Sequence, residues 1–361
     1  MRFVDFDLSE DQEMLKSVAE RFVADRYDAD RRRAYLDERD GFSAANWALL
    51  SELGIVGAAF AVGSGGLGAG RTDLAIVFEA LGRACIVEPL AESAVLAGGL
   101  FDRAASPALR AVWLDAIVSG EKRLVVAHRN DGVTAHRHGD AGDWMLRGSE
   151  PFVPGGSGAD GFIVSAMNAG ETAFFLVPAQ TPGLTSSSFR LIDGSVGVAL
   201  TLSDVFVPED HRLTDGVAAF AAAEELATIA RGAEALGIME TMFFATRDYL
   251  RTRQQFGAPL GSFQAVQHRM VAQYAALEQA RALLTLAVMV DPDDGTAATR
   301  ALSGMRAFIA EASVALGHEM IQLHGAMGVT DELIIGQAHK RLVMLSRYPE
   351  GPLAALDRYA A

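Results

Sequence analysis

Cysteine is nearly absent: Cys85 is the only one in 361 residues. A single cysteine excludes an intramolecular disulfide and any cysteine cluster for zinc or iron–sulfur. Its setting, Gly82-Arg-Ala-Cys85-Ile-Val, reads as a small buried filler rather than a nucleophile. Long apolar runs are missing as well. Half the residues are hydrophobic, yet no stretch reaches the roughly 18 uninterrupted apolar positions of a membrane span. Val217–Ala223 is short, and Glu224 and Glu225 follow it. Positive charge is scarce: 31 Lys and Arg against 46 Asp and Glu leave a net −15, which argues against general nucleic-acid binding. A local basic groove for an anionic ligand is compatible with that total. Met1-Arg-Phe-Val-Asp-Phe-Asp lacks the apolar core and cleavage site of a secretion signal. The expectation is a cytoplasmic globular protein with no membrane association, and no residue pattern requires a metal.

The periodicity changes twice along the chain. Leu15, Val18, Ala19 and Phe22 share one helical face behind a candidate cap at Ser9. Asp30–Arg39 reads as a charged, solvated stretch. Helical spacing resumes at Phe42, Trp47, Leu50 and Leu53, and Gly54 stops it. Gly63-Ser-Gly-Gly-Leu-Gly68 superficially matches a dinucleotide fingerprint, but the preceding Glu52-Leu-Gly54 closes a helix where that fingerprint needs a strand. Residues 73–84 and 88–118 read as helical. From about residue 122 short apolar runs alternate with Gly, Asp, Asn and Pro: 124–127, 144–146, 161–165, 172–177 and 198–202. They predict a strand-rich, antiparallel module whose connections are too short for crossover helices. Long helices return at about 219–252, 264–290 and 297–322, the last two separated by Asp291-Pro-Asp-Asp-Gly295.

Two polar, glycine-bearing motifs interrupt these helices. In Arg251-Thr-Arg253-Gln-Gln-Phe256-Gly257, the bland reading is a charged helix terminus with Gly257 as the stop. The functional reading is phosphate binding, with Arg253 as a planar donor fork and Phe256 as an apolar surface. In Gln322-Leu-His324-Gly325-Ala-Met-Gly328-Val-Thr330-Asp-Glu332, two glycines flanking a small residue allow backbone N–H groups close to a ligand. Gln322 and Thr330 add side-chain hydrogen bonding. His324 reads as a packed, hydrogen-bonded residue, and Glu332 as a loop anchor or helix cap.

Together with Leu8-Ser-Glu-Asp-Gln12, Phe78-Glu-Ala-Leu-Gly82, Val205-Phe-Val-Pro208 and Phe263-Gln264, these motifs resemble the acyl-CoA dehydrogenase family over essentially the full chain. The resemblance implies an α+β multidomain fold: a helical N-terminal domain (1–118), a middle antiparallel β domain (119–214) and a C-terminal four-helix bundle (215–361). It implies FAD as cofactor, with Arg253, Phe256 and Gln264 at the adenosine-diphosphate part and Gln322–Gly325 reaching it across a subunit interface. Gly328 belongs to the same turn, and Thr330 is a further expected FAD contact. The family also implies an acyl-CoA substrate and an electron-transfer flavoprotein as acceptor. The expected assembly is a homodimer, a homotetramer, or a heterotetramer with a second acyl-CoA dehydrogenase-like chain.

The chain departs from the family pattern beside the flavin ring and at the base. Where the family has an aromatic–Ile–Thr/Ser segment, this chain has Phe152-Val153-Pro154, followed by two glycines. Phe152 can pack on the ring or serve as a core aromatic, whereas Pro154 removes a hydroxyl and a backbone N–H. The loop near Ala127-His128-Arg129 lacks the usual threonine–glutamate pair. The family reaction, α,β-dehydrogenation of an acyl thioester, needs a carboxylate at the α carbon. Spacing from the glycine turn puts Pro349 at the usual base position, with Glu350-Gly351 one residue beyond; Glu350 is the catalytic candidate or a solvated acid. The family's alternative position falls on Ala227, with Thr228 where arginine is common. Such departures resemble the shorter, divergent subunits of heteromeric enzymes, in which one chain type carries the base and the other supplies structural and flavin-binding surface. The resemblance implies FAD-dependent α,β-dehydrogenation of an acyl-CoA, alone or with a partner subunit; the alternative is a catalytically poor FAD-binding partner.

Overall fold

The computed structural model describes residues 8–128, 132–139 and 142–361. Its first third is helical: α1 (Glu10–Arg26), α2 (Ala29–Asp37), α3 (Ala44–Glu52), α4 (Arg71–Gly82), α5 (Gly98–Ala104) and α6 (Pro107–Val118). Ser9 caps α1 as expected, accepting from the Gln12 amide at 3.2 Å while the Gln12 side chain accepts from Ser9 N–H at 3.1 Å. Gly63–Gly68 begins in a 3-10 turn after α3 rather than joining strand to helix. A Cβ on Gly66 would lie 2.3 Å from the Phe60 carbonyl oxygen, so packing alone explains that glycine. Ala91–Ala97 is a π-helical turn leading into α5.

The sheet follows: β1 (Leu124–Ala127), β2 (Val133–His138), β3 (Asp143–Pro154), β4 (Gly161–Asn168), β5 (Glu171–Pro178), β6 (Leu184–Arg190) and β7 (Val196–Val207). Its order is β1-β4-β2-β3-β7-β6, with β5 on β4. The β2–β3, β3–β7, β4–β5 and β6–β7 pairs are antiparallel, while β1 and β2 both run parallel to β4. No crossover helix is needed, because the β2–β3 hairpin itself lies between β1 and β4 in the chain. The core of the sheet centres on Trp144, edge-on to Phe175 at 5.2 Å, with Val125, Val164, Leu200 and Val205 around it.

The remainder is α7 (Gly216–Thr252), a small hairpin of β8 (Gln254–Gln255) and β9 (Ala258–Pro259), α8 (Gln264–Met289), α9 (Gly295–His324), α10 (Ile334–Arg347) and α11 (Pro352–Ala360). Asp294 caps α9 by accepting from the Ala297 N–H at 3.1 Å. The observed architecture is the α+β order of helices, sheet and helices expected from the sequence.

Contacts gather the described residues into two compact units. One holds those up to Arg32, Arg71–Ile86 and Thr228–Ala361; the other holds Arg33–Gly70 and Val87–Ala227. In the first, α4 and α7 approach closely because glycines face backbone. A Cβ on Gly82 would lie 2.3 Å from Glu234 O, and one on Gly237 2.2 Å from Glu79 O. In the second, Arg123 is buried, donating to the carbonyls of Gly155 (2.7 Å) and Ser157 under the Phe42 ring. Burial pushes its guanidinium down to about 10, and Asp40 and Asp160 pull against that. No helix among the described residues is long and apolar enough to cross a membrane.

Candidate active site

Arg253 follows the last turn of α7, and the two strands after it pair as Gln254↔Pro259 and Gln255↔Ala258. Phe256 and Gly257 are therefore the two central residues of a tight hairpin turn, at φ +55° and +79°. Positive φ at both positions is the I′ geometry that suits hairpin twist. Glycine adopts it freely; phenylalanine does so against the clash of its Cβ with the backbone. Phe256 is nevertheless 92% exposed, its ring meeting the edge of Phe263 at 6.3 Å. The hairpin thus corrects the simpler picture of a helix stopped at Gly257. Arg253 and Gln264, the first residue of α8, are exposed on the same segment.

The second motif is held from several sides. α9 ends at His324, which is buried, donates from Nδ1 to Met320 O (2.9 Å) and stacks on Tyr249 at 4.5 Å. Gly325 turns the chain at φ +64° with open space where a Cβ would be. Gly328 does the opposite: it is buried, and a Cβ there would lie 2.6 Å from Ile321 O. The two glycines therefore divide the work, one leaving backbone accessible and the other letting the turn press on α9. Thr330 donates its hydroxyl to Met327 O at 2.9 Å, and Lys340 pairs with Asp331 at 2.8 Å. Gln322 is exposed beside Gly325. Glu332, read as a cap, makes no cap hydrogen bond at the start of α10, where Leu333 is the N-cap residue. The anchoring carboxylate is Asp331.

The donor set suits a nucleotide diphosphate. It offers a guanidinium on an exposed hairpin, amides at Gln322 and Gln264 and an uncluttered glycine backbone at 325, while the Thr330 hydroxyl is committed to Met327 O. Phe152 lies in the other unit, on β3, where the register with β7 shifts between Glu150 and Val153. Its ring is half-buried, 6.2 Å from Phe189. Pro154 is buried opposite Gly197. His128 at the end of β1 packs against Phe220 at 4.5 Å and Phe174 at 5.6 Å, and burial lowers its pKa. Arg129 lies outside the described residues, as do Met1–Asp7.

Glu350 stands between α10 and α11, its carboxylate gripped by both terminal nitrogens of Arg358. Buried Arg306 on α9 fixes the backbone there by donating to the carbonyls of Leu345 (2.6 Å), Tyr348 (2.8 Å) and Glu350 (2.7 Å). Ala227 is fully buried in α7. Glu234, a buried acid on that helix, is bound by Arg341 at 2.7 and 3.1 Å and serves helix packing.

Residues 9–121 match the acyl-CoA dehydrogenase N-terminal domain, and residues 215–355 match the acyl-CoA dehydrogenase C-terminal domain. The chain belongs to the acyl-CoA dehydrogenase family. It is 33% identical to the acyl-CoA dehydrogenase FadE27 of Mycobacterium tuberculosis, over 78% of each chain. Among solved structures it resembles the ChsE4–ChsE5 complex of Mycobacterium tuberculosis, with a TM-score of 0.91 and 28% identity, covering 99% of this chain and 98% of the other. It also resembles the Tcur3481–Tcur3483 steroid ACAD, with a TM-score of 0.88 and 28% identity over 97% of each chain.

Proposed function

We propose that this chain is an FAD-binding subunit of a heteromeric acyl-CoA dehydrogenase whose catalytic base is carried by a second, homologous chain. The observation that carries this is the state of the two base positions. Ala227 offers no carboxylate at one, and the other falls on Pro349, whose neighbour Glu350 is held by Arg358 in a two-pronged ion pair. Two similar solved structures at 28% identity, the ChsE4–ChsE5 complex and Tcur3481–Tcur3483, each join two components, which supports a paired assembly.

In this reading Arg253 and Gln264 hold the adenosine-diphosphate portion of FAD, and Phe256 lies against it. Gln322, Gly325 and Thr330 line the same cofactor from the neighbouring subunit, with Gly328 shaping their turn. Phe256 supports the assignment: a bulky residue in a left-handed turn keeps its ring in solvent, with the edge of Phe263 as its ring neighbour. FAD supplies the acceptor for the β hydride while a carboxylate removes the α proton. Phe152 stands on the segment assigned to the flavin ring. Pro154 has no N–H or hydroxyl to give there, so hydrogen bonding to the ring falls to other groups. An electron-transfer flavoprotein takes the electrons onward.

Co-expression with a base-carrying homologue tests the reading. Acyl-CoA, including cyclic and steroid-derived thioesters, is expected to reduce flavin in the complex, and Glu350→Gln in this chain is expected to leave that rate unchanged. A second reading keeps Glu350 as the base, favoured by the Gly351 that follows it and by the Arg306 anchors on its backbone. It requires Arg358 to release the carboxylate, and it predicts that Glu350→Gln abolishes reduction.

A further inference from the structure

Arg32 lies in the charged stretch that reads as solvated, yet it is 1% exposed. Burying a guanidinium is expensive unless its donors are met. Nε donates to Cys85 O at 2.6 Å and Nη1 to Gln337 Oε1 at 3.0 Å. Cys85, the lone cysteine, is buried at φ +52°, so what it presents to Arg32 is its carbonyl rather than its thiol.

The consequence falls on Gln337, itself 4% exposed near the start of α10. A primary amide has one acceptor end and one donor end, and arginine can only donate. Arg32 therefore fixes which way the amide faces. Oε1 must meet the guanidinium, which leaves Nε2 to donate to Asp331 O at 2.8 Å and, more distantly, to Ala29 O at 3.4 Å. Reversed, the amide would set N–H against N–H and oxygen against carbonyl. Directly beneath, Gly336 lets the turn sit on α10: a Cβ there would lie 2.8 Å from Thr330 O and 3.1 Å from Gly328 O.

We infer that Arg32 and Gln337 are positioning residues for the 325–331 turn, fixing its last carbonyl and thereby the geometry it presents to FAD. The inference rests on the cofactor reading above. It adds two residues, one of them 293 positions before the turn's first glycine in sequence (325 − 32), that need not touch the cofactor themselves.

Gln337→Glu is the informative variant. It keeps an oxygen for Arg32 but turns the other end into an acceptor facing Asp331 O. In the purified oligomer it should raise the FAD dissociation constant about tenfold or more, the scale of one buried hydrogen bond lost with its partner left unmet. Amide hydrogen exchange across 325–331 should accelerate while exchange in the α8 and α9 cores stays unchanged. Arg32→Met should produce the same pair of effects, and Arg32→Lys should restore part of each. Unchanged exchange in the turn of Gln337→Glu would overturn the inference whether or not FAD binds. Faster exchange with wild-type FAD affinity would overturn it too, because the turn would then be loosened without consequence for the cofactor. A wild-type complex that never binds FAD would instead remove the cofactor reading, and the role toward FAD with it.

Discussion

The two motifs that stand out in the sequence are built in opposite ways. The 325–331 turn is tied down by Gly328 against α9, by Thr330 to Met327, by Gln337 to Asp331 and by Lys340 to Asp331. The 253–259 hairpin has a two-pair ladder and a phenylalanine standing in solvent at positive φ. One is made rigid by its own chain. The other presents exposed groups, which the proposed reading assigns to the cofactor. In the proposed reading the fixed half and the presented half belong to different subunits, so the cofactor site would form fully only on assembly.

That contrast makes the two motifs respond differently to substitution. The largest effect is expected at Gly328→Ala, where the new methyl meets Ile321 O at 2.6 Å. Overpacking of this kind costs about 1–3 kcal/mol, so thermal unfolding should fall and FAD retention with it. Unchanged stability would mean that the turn is not wedged against α9. Next comes Arg253→Ala, which should weaken FAD by roughly 1.5–3 kcal/mol, the worth of a charge-assisted hydrogen bond, at constant melting temperature. If FAD affinity is unaffected, the phosphate contact is wrong. Phe256→Ala should leave stability within about 0.5 kcal/mol, as for other exposed sites, while lowering FAD affinity or oligomer yield. A marked loss of monomer stability would place the ring inside its own fold.

The smallest effect concerns pH. His339 on α10 lies 4.6 Å from His318 on α9; burial, and then that neighbour, hold its pKa at about 4 against an ordinary 6.5. The folded state thus prefers the neutral ring. Its contribution is complete above pH 6.5 and declines as pH falls toward 4, because only the unfolded chain takes up the proton in that interval. His339→Gln should flatten the loss of melting temperature between those values. An unaltered slope would assign it to other groups.

Much of this was legible in the residues, and the failures have physical causes. Long helices with apolar faces and the capped starts at Ser9 and Asp294 declare themselves locally. β2 and β6 do not: Thr134, His136 and the Ser186–Ser188 run are exposed, and neither strand offers a sustained apolar face. The parallel pairings of β1 and β2 with β4 are non-local, and no short-range pattern encodes them. The β8–β9 hairpin is too short for periodicity, and its Phe256 opposes the usual residue preference of its turn. Arg32 could not be separated from Arg31 and Arg33 beside it, since nothing in a run of three arginines marks the one that is buried. The glycine turn was legible as a motif, but the opposite duties of Gly325 and Gly328 emerge only from what a Cβ would meet.

The most direct measurement is anaerobic flavin reduction by acyl-CoA, followed by absorbance, for this chain alone and co-purified with a base-carrying homologue. Each sample is compared with its Glu350→Gln counterpart. Reduction confined to the complex, at a rate Glu350→Gln leaves unchanged, is the predicted result. Reduction by the chain alone that disappears with Glu350→Gln would contradict it and make Glu350 the base.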